Sequence, residues 1–161
     1  MHPDAPERDG PVLGSFRLGE ALGTGPFATT FEAVQEGTDR AVLVKIARRD
    51  RFRGDVALAV RDLFASEARM LSRAWHPNLV TVFAAGELDD GRPLIVLEHI
   101  DAPTLRALLD DQAPLEPREI LQLFEGLAAA LDALHTAGIA HRAVTPDDIR
   151  VRLGRTPTVK L

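Results

Sequence analysis

The sequence predicts an α+β fold, with short strands gathered before Ile100 around a single helix and helices leading the remainder. Two patterns carry this expectation. Apolar, β-leaning runs recur between Phe16 and Ile100, separated by glycine- and aspartate-rich turns, and the clearest helical periodicity follows Pro117. Composition agrees, because 45% hydrophobic against 27% charged residues describes a globular chain with a core to bury.

Residues 1–14 hold Pro3, Pro6, Gly10 and Pro11 among charges, which predicts a flexible leader. Phe16–Leu22 and Thr29–Val34 read as two strands joined by the tip Gly23-Thr-Gly-Pro-Phe-Ala28, a hairpin that two nearby glycines alone would explain as a turn. Ala41–Ala47 is an apolar strand interrupted by Lys45. Alternation sets Leu43, Lys45 and Ala47 on one face, and Val42, Val44 and Ile46 on the other. A lysine in such a strand ordinarily lies at an edge with its ammonium in water.

The next element gives that lysine a second reading. From Val56 to Ala74, Val60, Phe64, Leu71 and Ala74 recur at helical spacing, and Glu67 lies on the same stripe. An unpaired carboxylate on a buried face costs several kcal/mol, so Glu67 needs a partner, and Lys45 is the upstream candidate. Leu79–Ala84 and Leu94–Ile100 read as strands around the turn Asp89-Asp-Gly91. A short helix is expected at Thr104–Asp110 and a long one from Pro117 to Ala137. Pro117 suits its first position, Gly138 its stop, and Ile120, Phe124, Leu127, Leu131 and Leu134 its buried stripe. Ile149–Leu153 alternates, Gly154–Pro157 turns, and Thr158–Leu161 begins another strand.

Charge and composition exclude several classes of function. A net charge of -5, from 19 basic against 24 acidic residues, recommends neither nucleic acid nor an anionic membrane as partner. With no cysteine, disulfides, thiolate catalysis and thiolate-bound metals are excluded. No apolar run reaches the ~18 residues of a membrane span. The first residues lack the basic and apolar regions of a signal peptide, so the expected location is cytoplasmic.

Gly138-Ile-Ala-His-Arg-Ala-Val-Thr-Pro-Asp-Asp-Ile149 resembles the catalytic loop of bacterial-type (eukaryotic-like) Ser/Thr protein kinases, His-Arg-Asp-Leu-Lys-Pro-x-Asn-Ile. His141, Arg142, Pro146 and Ile149 fit. Ala143 stands where the family has its proton-accepting Asp, Thr145 where it has a Lys, and Asp148 where it has a metal-binding Asn. Gly23, Gly25 and Phe27 match the phosphate-covering loop, with Ala28 and Thr30 in place of its third Gly and its Val. Lys45, Glu67 and His76-Pro-Asn78 match the family's strand Lys, helix Glu and following turn.

The resemblance implies a protein-kinase-like fold with three segments. These are a flexible leader (1–14), an N-lobe with a five-stranded antiparallel sheet and one helix (15–100), and a partial, mainly helical C-lobe (101–161) ending before the Asp-Phe-Gly position. It implies ATP and Mg as cofactors. The adenine would meet Leu22, Leu43, the gatekeeper Leu97 and the backbone of Glu98 and Ile100, with Arg150 where the family has a floor Leu. The phosphates would meet Gly23, Gly25 and Lys45, the last held by Glu67, Thr30 is a further cofactor-binding position where the family has Val, and Asp148 is the candidate metal ligand. No catalytic residue follows with these departures. The implied function is a catalytically impaired pseudokinase that binds or regulates a protein partner. The alternative is an ATP-dependent Ser/Thr kinase whose remaining parts are supplied elsewhere.

Overall fold

The computed structural model describes residues 12–13, 15–112, 114–155 and 157–161. The expected leader lies outside these residues except for Val12 and Leu13. The chain forms two compact units, one running to Ala65 and resuming over Phe83–His99, the other comprising Ser66–Val82 and Ile100–Leu161.

The first unit is built on a sheet of β1 (Val12–Leu13), β2 (Phe16–Thr24), β3 (Ala28–Gln35) and β4 (Arg40–Ala47). Helix α1 (Gly54–Arg73) follows, then β5 (Val82–Glu87) and β6 (Pro93–Glu98). The spatial order is β1-β2-β3-β4-β6-β5. The five expected strands are β2 to β6, and β1 adds a sixth by pairing Val12 with Arg17 and Leu13 with Phe16. A two-residue strand has too little periodicity to be read from sequence.

β4 is covered on both faces. Val42, Val44 and Ile46 join Leu18, Ala33 and Val96 in one core, while Leu43 and Ala47 on the alternate face are also buried. Lys45 shares that second face and is half-buried. Each buried valine or isoleucine contributes roughly 1.5–3 kcal/mol through removal from water. The pairing of β2 with β3 slips between Leu18 and Ala21 and again before Gly23, so the strand is irregular as it approaches the glycine tip.

The second unit holds α2 (Leu105–Gln112), α3 (Pro117–Thr136) and the hairpin of β7 (Arg150–Arg152) with β8 (Thr158–Lys160). Thr104 caps α2, its Oγ1 accepting the Ala107 N–H at 3.1 Å. At the start of α3, Pro117 is followed by Glu119, whose carboxylate accepts the Glu116 N–H at 3.0 Å. Gly138, at φ +74°, ends the helix by donating to His135 O while Ile139 N donates to Leu134 O.

Two sequence expectations are corrected here. Of the expected stripe of α3, Leu134 is buried and Leu127 and Leu131 pack against the core, but Ile120 and Phe124 are 40% and 61% exposed, and Leu123 and Ala130 are buried instead. The true face passes through Gly126, against which Val159 of β8 packs. Small residues carry little weight in a hydrophobic stripe, so the bulkier neighbours misled. The strand expected from Leu79 begins only at Val82, because Leu79 is a core residue of the second unit. Its N–H closes a turn onto His76 O, and Val80 N–H goes to Leu161 O.

Candidate functional site

The sheet places several expected residues on adjacent strands. Gly23 pairs with Thr30 and Thr30 with Lys45, which forms one row across β2, β3 and β4. In the next row but one, Glu32 pairs with Leu43 and Leu43 with Leu97 on β6. The register thus gathers Gly23, Thr30, Lys45, Leu43 and Leu97 on one patch of sheet. Leu22 and Gly25 lie on the exposed tip side of the hairpin. Glu98, opposite Val42, closes β6, and Ile100 follows in the second unit.

Lys45 Nζ stands 5.8 Å from the centroid of Phe64, a cation–π contact with a fully buried ring. Glu67, three residues beyond Phe64 on α1, is half-buried. Both Lys45 and Glu67 have interaction partners.

The glycine tip is closed on itself. Gly25 N–H donates to Ala28 O at 2.8 Å, and Pro26 has no N–H to give. Arg48 then fixes the tip from just beyond β4. Its Nη1 donates to Gly25 O at 3.2 Å, and its own backbone N–H donates to Phe27 O at 2.9 Å. Asp50 grips the same guanidinium through both oxygens, at 3.0 and 2.7 Å. The hydrogen bond from Arg48 holds the Asp50 carboxyl below the usual range, and Asp50 in turn raises Arg48. Sequence reading missed Arg48 because an arginine one residue past a strand carries no distinguishing pattern. With Gly25 N–H engaged and Pro26 lacking one, the tip does not fit a phosphate held by these backbone donors.

In the second unit the loop after α3 is similarly self-contained. Asp148 Oδ2 accepts both the Thr145 N–H at 2.9 Å and the Thr145 hydroxyl at 2.7 Å, while Asp148 N–H returns to Thr145 O at 3.0 Å. The loop is tied to the first turn of α2, whose Leu105 and Arg106 N–H groups donate to Ile149 O and Pro146 O. Arg106 lies 3.8 Å from Asp147. Ala143 and Val144 are exposed, and His141 Nδ1 is buried with no hydrogen-bond partner.

Arg142 has φ +68°, a left-handed conformation that sequence gave no hint of. Arg150 is half-buried and sends Nη1 to Ala102 O at 3.3 Å. Its neighbour Arg152 is exposed and bonds the Asp101 backbone and carboxylate.

These residues do not fit a magnesium ion. One oxygen of Asp148 is engaged twice by Thr145, and Ala143 offers no ligand. Among the described residues no group of three His, Cys, Asp or Glu side chains is placed to hold a metal. Among those residues, too, no helix is long and apolar enough to cross a membrane.

Comparison with known proteins adds an independent line. Residues 16–161 match the family described as Protein kinase domain. Serine/threonine-protein kinase PknK of Mycobacterium tuberculosis is 37% identical over 131 residues, covering 81% of this chain and 11% of PknK. A probable serine/threonine-protein kinase of Streptomyces coelicolor is 36% identical over 151 residues, covering 92% and 22% respectively. The chain therefore spans only a small part of the curated relatives it matches. The crystal structure of the M. tuberculosis PknI kinase domain aligns with a TM-score of 0.73 at 23% identity, covering 98% of this chain and 62% of that one. The apo form of PpkA-294 aligns at 0.80 and 24%, covering 99% and 61%. Both establish the protein-kinase-like fold of the N-terminal part of such a domain.

Proposed function

The chain belongs to the protein kinase domain family, and from that premise we propose that it is a catalytically impaired pseudokinase, a module that binds and regulates a protein without transferring phosphate. One observation carries this reading. Ala143 stands at the proton-accepting position of the loop, and Asp148, at the metal-ligand position, is closed onto Thr145. Phosphoryl transfer depends on positioning the acceptor hydroxyl and on neutralising charge with metal ions. Ala143 can do neither, and Thr145 brings no cation.

Lys45 and Glu67 retain the residue types of the family's scaffold pair. Nucleotide, if taken, then acts as a structural ligand. The protein partner and a cytoplasmic location belong to the same proposal.

Radiolabelled ATP, magnesium and general protein acceptors test it. The purified chain is expected to transfer no more label than Lys45→Ala. Transfer abolished by Lys45→Ala would overturn the reading in favour of an ATP-dependent Ser/Thr kinase completed by parts supplied elsewhere. Thermal unfolding with Mg-ATP adds a second readout, since selective binding at 100 times Kd raises stability by ~2.7 kcal/mol.

A further inference from the structure

The glycine tip is held from outside its hairpin as well as from within. Gly25 is the tip residue with the widest conformational freedom, and both of its backbone groups are engaged. Its N–H goes to Ala28 O at 2.8 Å, and its carbonyl receives Arg48 Nη1 at 3.2 Å. Beyond Pro26 a second tie follows, from Arg48 N–H to Phe27 O at 2.9 Å. The guanidinium is itself anchored, because its Nε and Nη2 both donate to Asp50.

This hold is of a kind that can open. The Arg48 and Asp50 side chains are 28% and 55% exposed, so burial does not lock either charge in place. Its position also matters. Ala28 pairs with Ala47, two residues along each strand from the pair of Thr30 with Lys45, so the latched tip adjoins the row of Gly23, Thr30 and Lys45. All of these residues belong to the first unit.

We propose that Arg48 and Asp50 form an autoinhibitory latch on the glycine tip, and that its release admits the phosphates of a nucleotide to the row of Gly23, Thr30 and Lys45. The proposal rests on the reading of nucleotide as a structural ligand of this chain. The direction of the effect separates a latch from a ligand. An arginine that merely bordered a phosphate site would attract the anion, and its removal would weaken binding. An arginine that holds the tip shut does the opposite. A tip that is open about one-tenth of the time binds about tenfold more weakly than one left unlatched.

The shape of the side chain matters as much as its charge. One guanidinium reaches Gly25 O and both Asp50 oxygens at once. A lysine would keep the charge and lose the planar fork.

Calorimetric titration of the purified chain with ATP tests the latch, with adenosine as the probe that lacks phosphates. Arg48→Met and Arg48→Lys are each expected to bind ATP about tenfold more tightly than the wild type, and adenosine no more tightly. Amide exchange at Gly25, followed without nucleotide, should be faster in both variants. Circular dichroism and melting temperature confirm that each one folds. ATP binding that is equal or weaker in the variants overturns the proposal, as does its absence from all three chains. A matching gain for adenosine, or unchanged exchange at Gly25, overturns it too. Label transfer from ATP bears on the pseudokinase reading and not on the latch, so the two can fail separately.

Discussion

Asp148 Oδ2 receives both the backbone N–H and the hydroxyl of Thr145, at 2.9 and 2.7 Å, and closes the loop after α3 without help from outside the chain. The two positions at which the family places a cation and a metal ligand here satisfy one another. Thr145→Ala and Asp148→Ala are each expected to lower stability by about 1 kcal/mol, as the loss of a side-chain cap does. The double variant should cost little more than the worse single, since both remove the same bonds. Urea unfolding measures all three. Magnesium alone should leave the wild-type midpoint unmoved, and a magnesium-dependent rise lost in Asp148→Ala would show that the carboxylate binds metal after all.

Gly126 offers a second test, of the core rather than the loop. A Cβ at this position would lie 2.6 Å from the Val159 Cβ, closer than real contacts allow. On an exposed helix Gly→Ala stabilises by about 1 kcal/mol. Here overpacking reverses the sign, and Gly126→Ala should destabilise by about 1–3 kcal/mol. Adding Val159→Gly removes that Cβ together with its two methyls and relieves the contact, so the double variant should be more stable than the sum of the singles allows. Simple additivity in urea titrations would show that α3 and β8 are not in this close contact.

These cases mark what the chain discloses in advance. β4 was legible because strict alternation around Lys45 assigns each side chain a face, although the burial of both faces was not foreseen. The ends of α3 were legible because Pro117 and Gly138 are chemically suited to them. Its buried face was legible only in part: Leu127, Leu131 and Leu134 meet the core as expected, but Gly126 and Ala130 mark the rest by smallness, which a stripe of large residues cannot register. The residue types of the loop from His141 to Ile149 were visible, but the Thr145–Asp148 closure was not. Nor was the Arg48–Asp50 grip on Gly25, which depends on two segments meeting in space.

Arg142 shows a third kind of hidden feature, backbone strain. At φ +68° it occupies a region that costs a non-glycine residue roughly 1–2 kcal/mol. Arg142→Gly removes that cost but adds freedom to the unfolded chain, so a net stabilisation of about 0.5–1 kcal/mol is expected. A matched Arg142→Ala control keeps the strain and should show no such rise. A fall in stability for glycine would mean that the arginine side chain holds the loop by contacts stronger than the strain.

Acid should loosen the first unit through two aspartates. The hydrogen bond from Arg48 holds Asp50 below the ordinary carboxyl range. For Asp90, burial is the largest single influence and acts upward. The hydrogen bonds from Arg92 and Arg49 together outweigh it, and its pKa is also lowered. A carboxyl whose folded pKa is depressed stabilises the fold above its unfolded value, about 3.9, and loses that contribution as pH falls through the folded value. Asp50→Asn and Asp90→Asn should therefore lower the urea midpoint at neutral pH and converge on the wild type once the pH has fallen through the depressed folded values. A deficit equally large at both pH values would show that packing, rather than the ionised carboxylates, accounts for the loss. For Asp50 the same acid step releases Arg48, so amide exchange at Gly25 and Phe27 should accelerate over the same interval in the wild type, and already at neutral pH in Asp50→Asn.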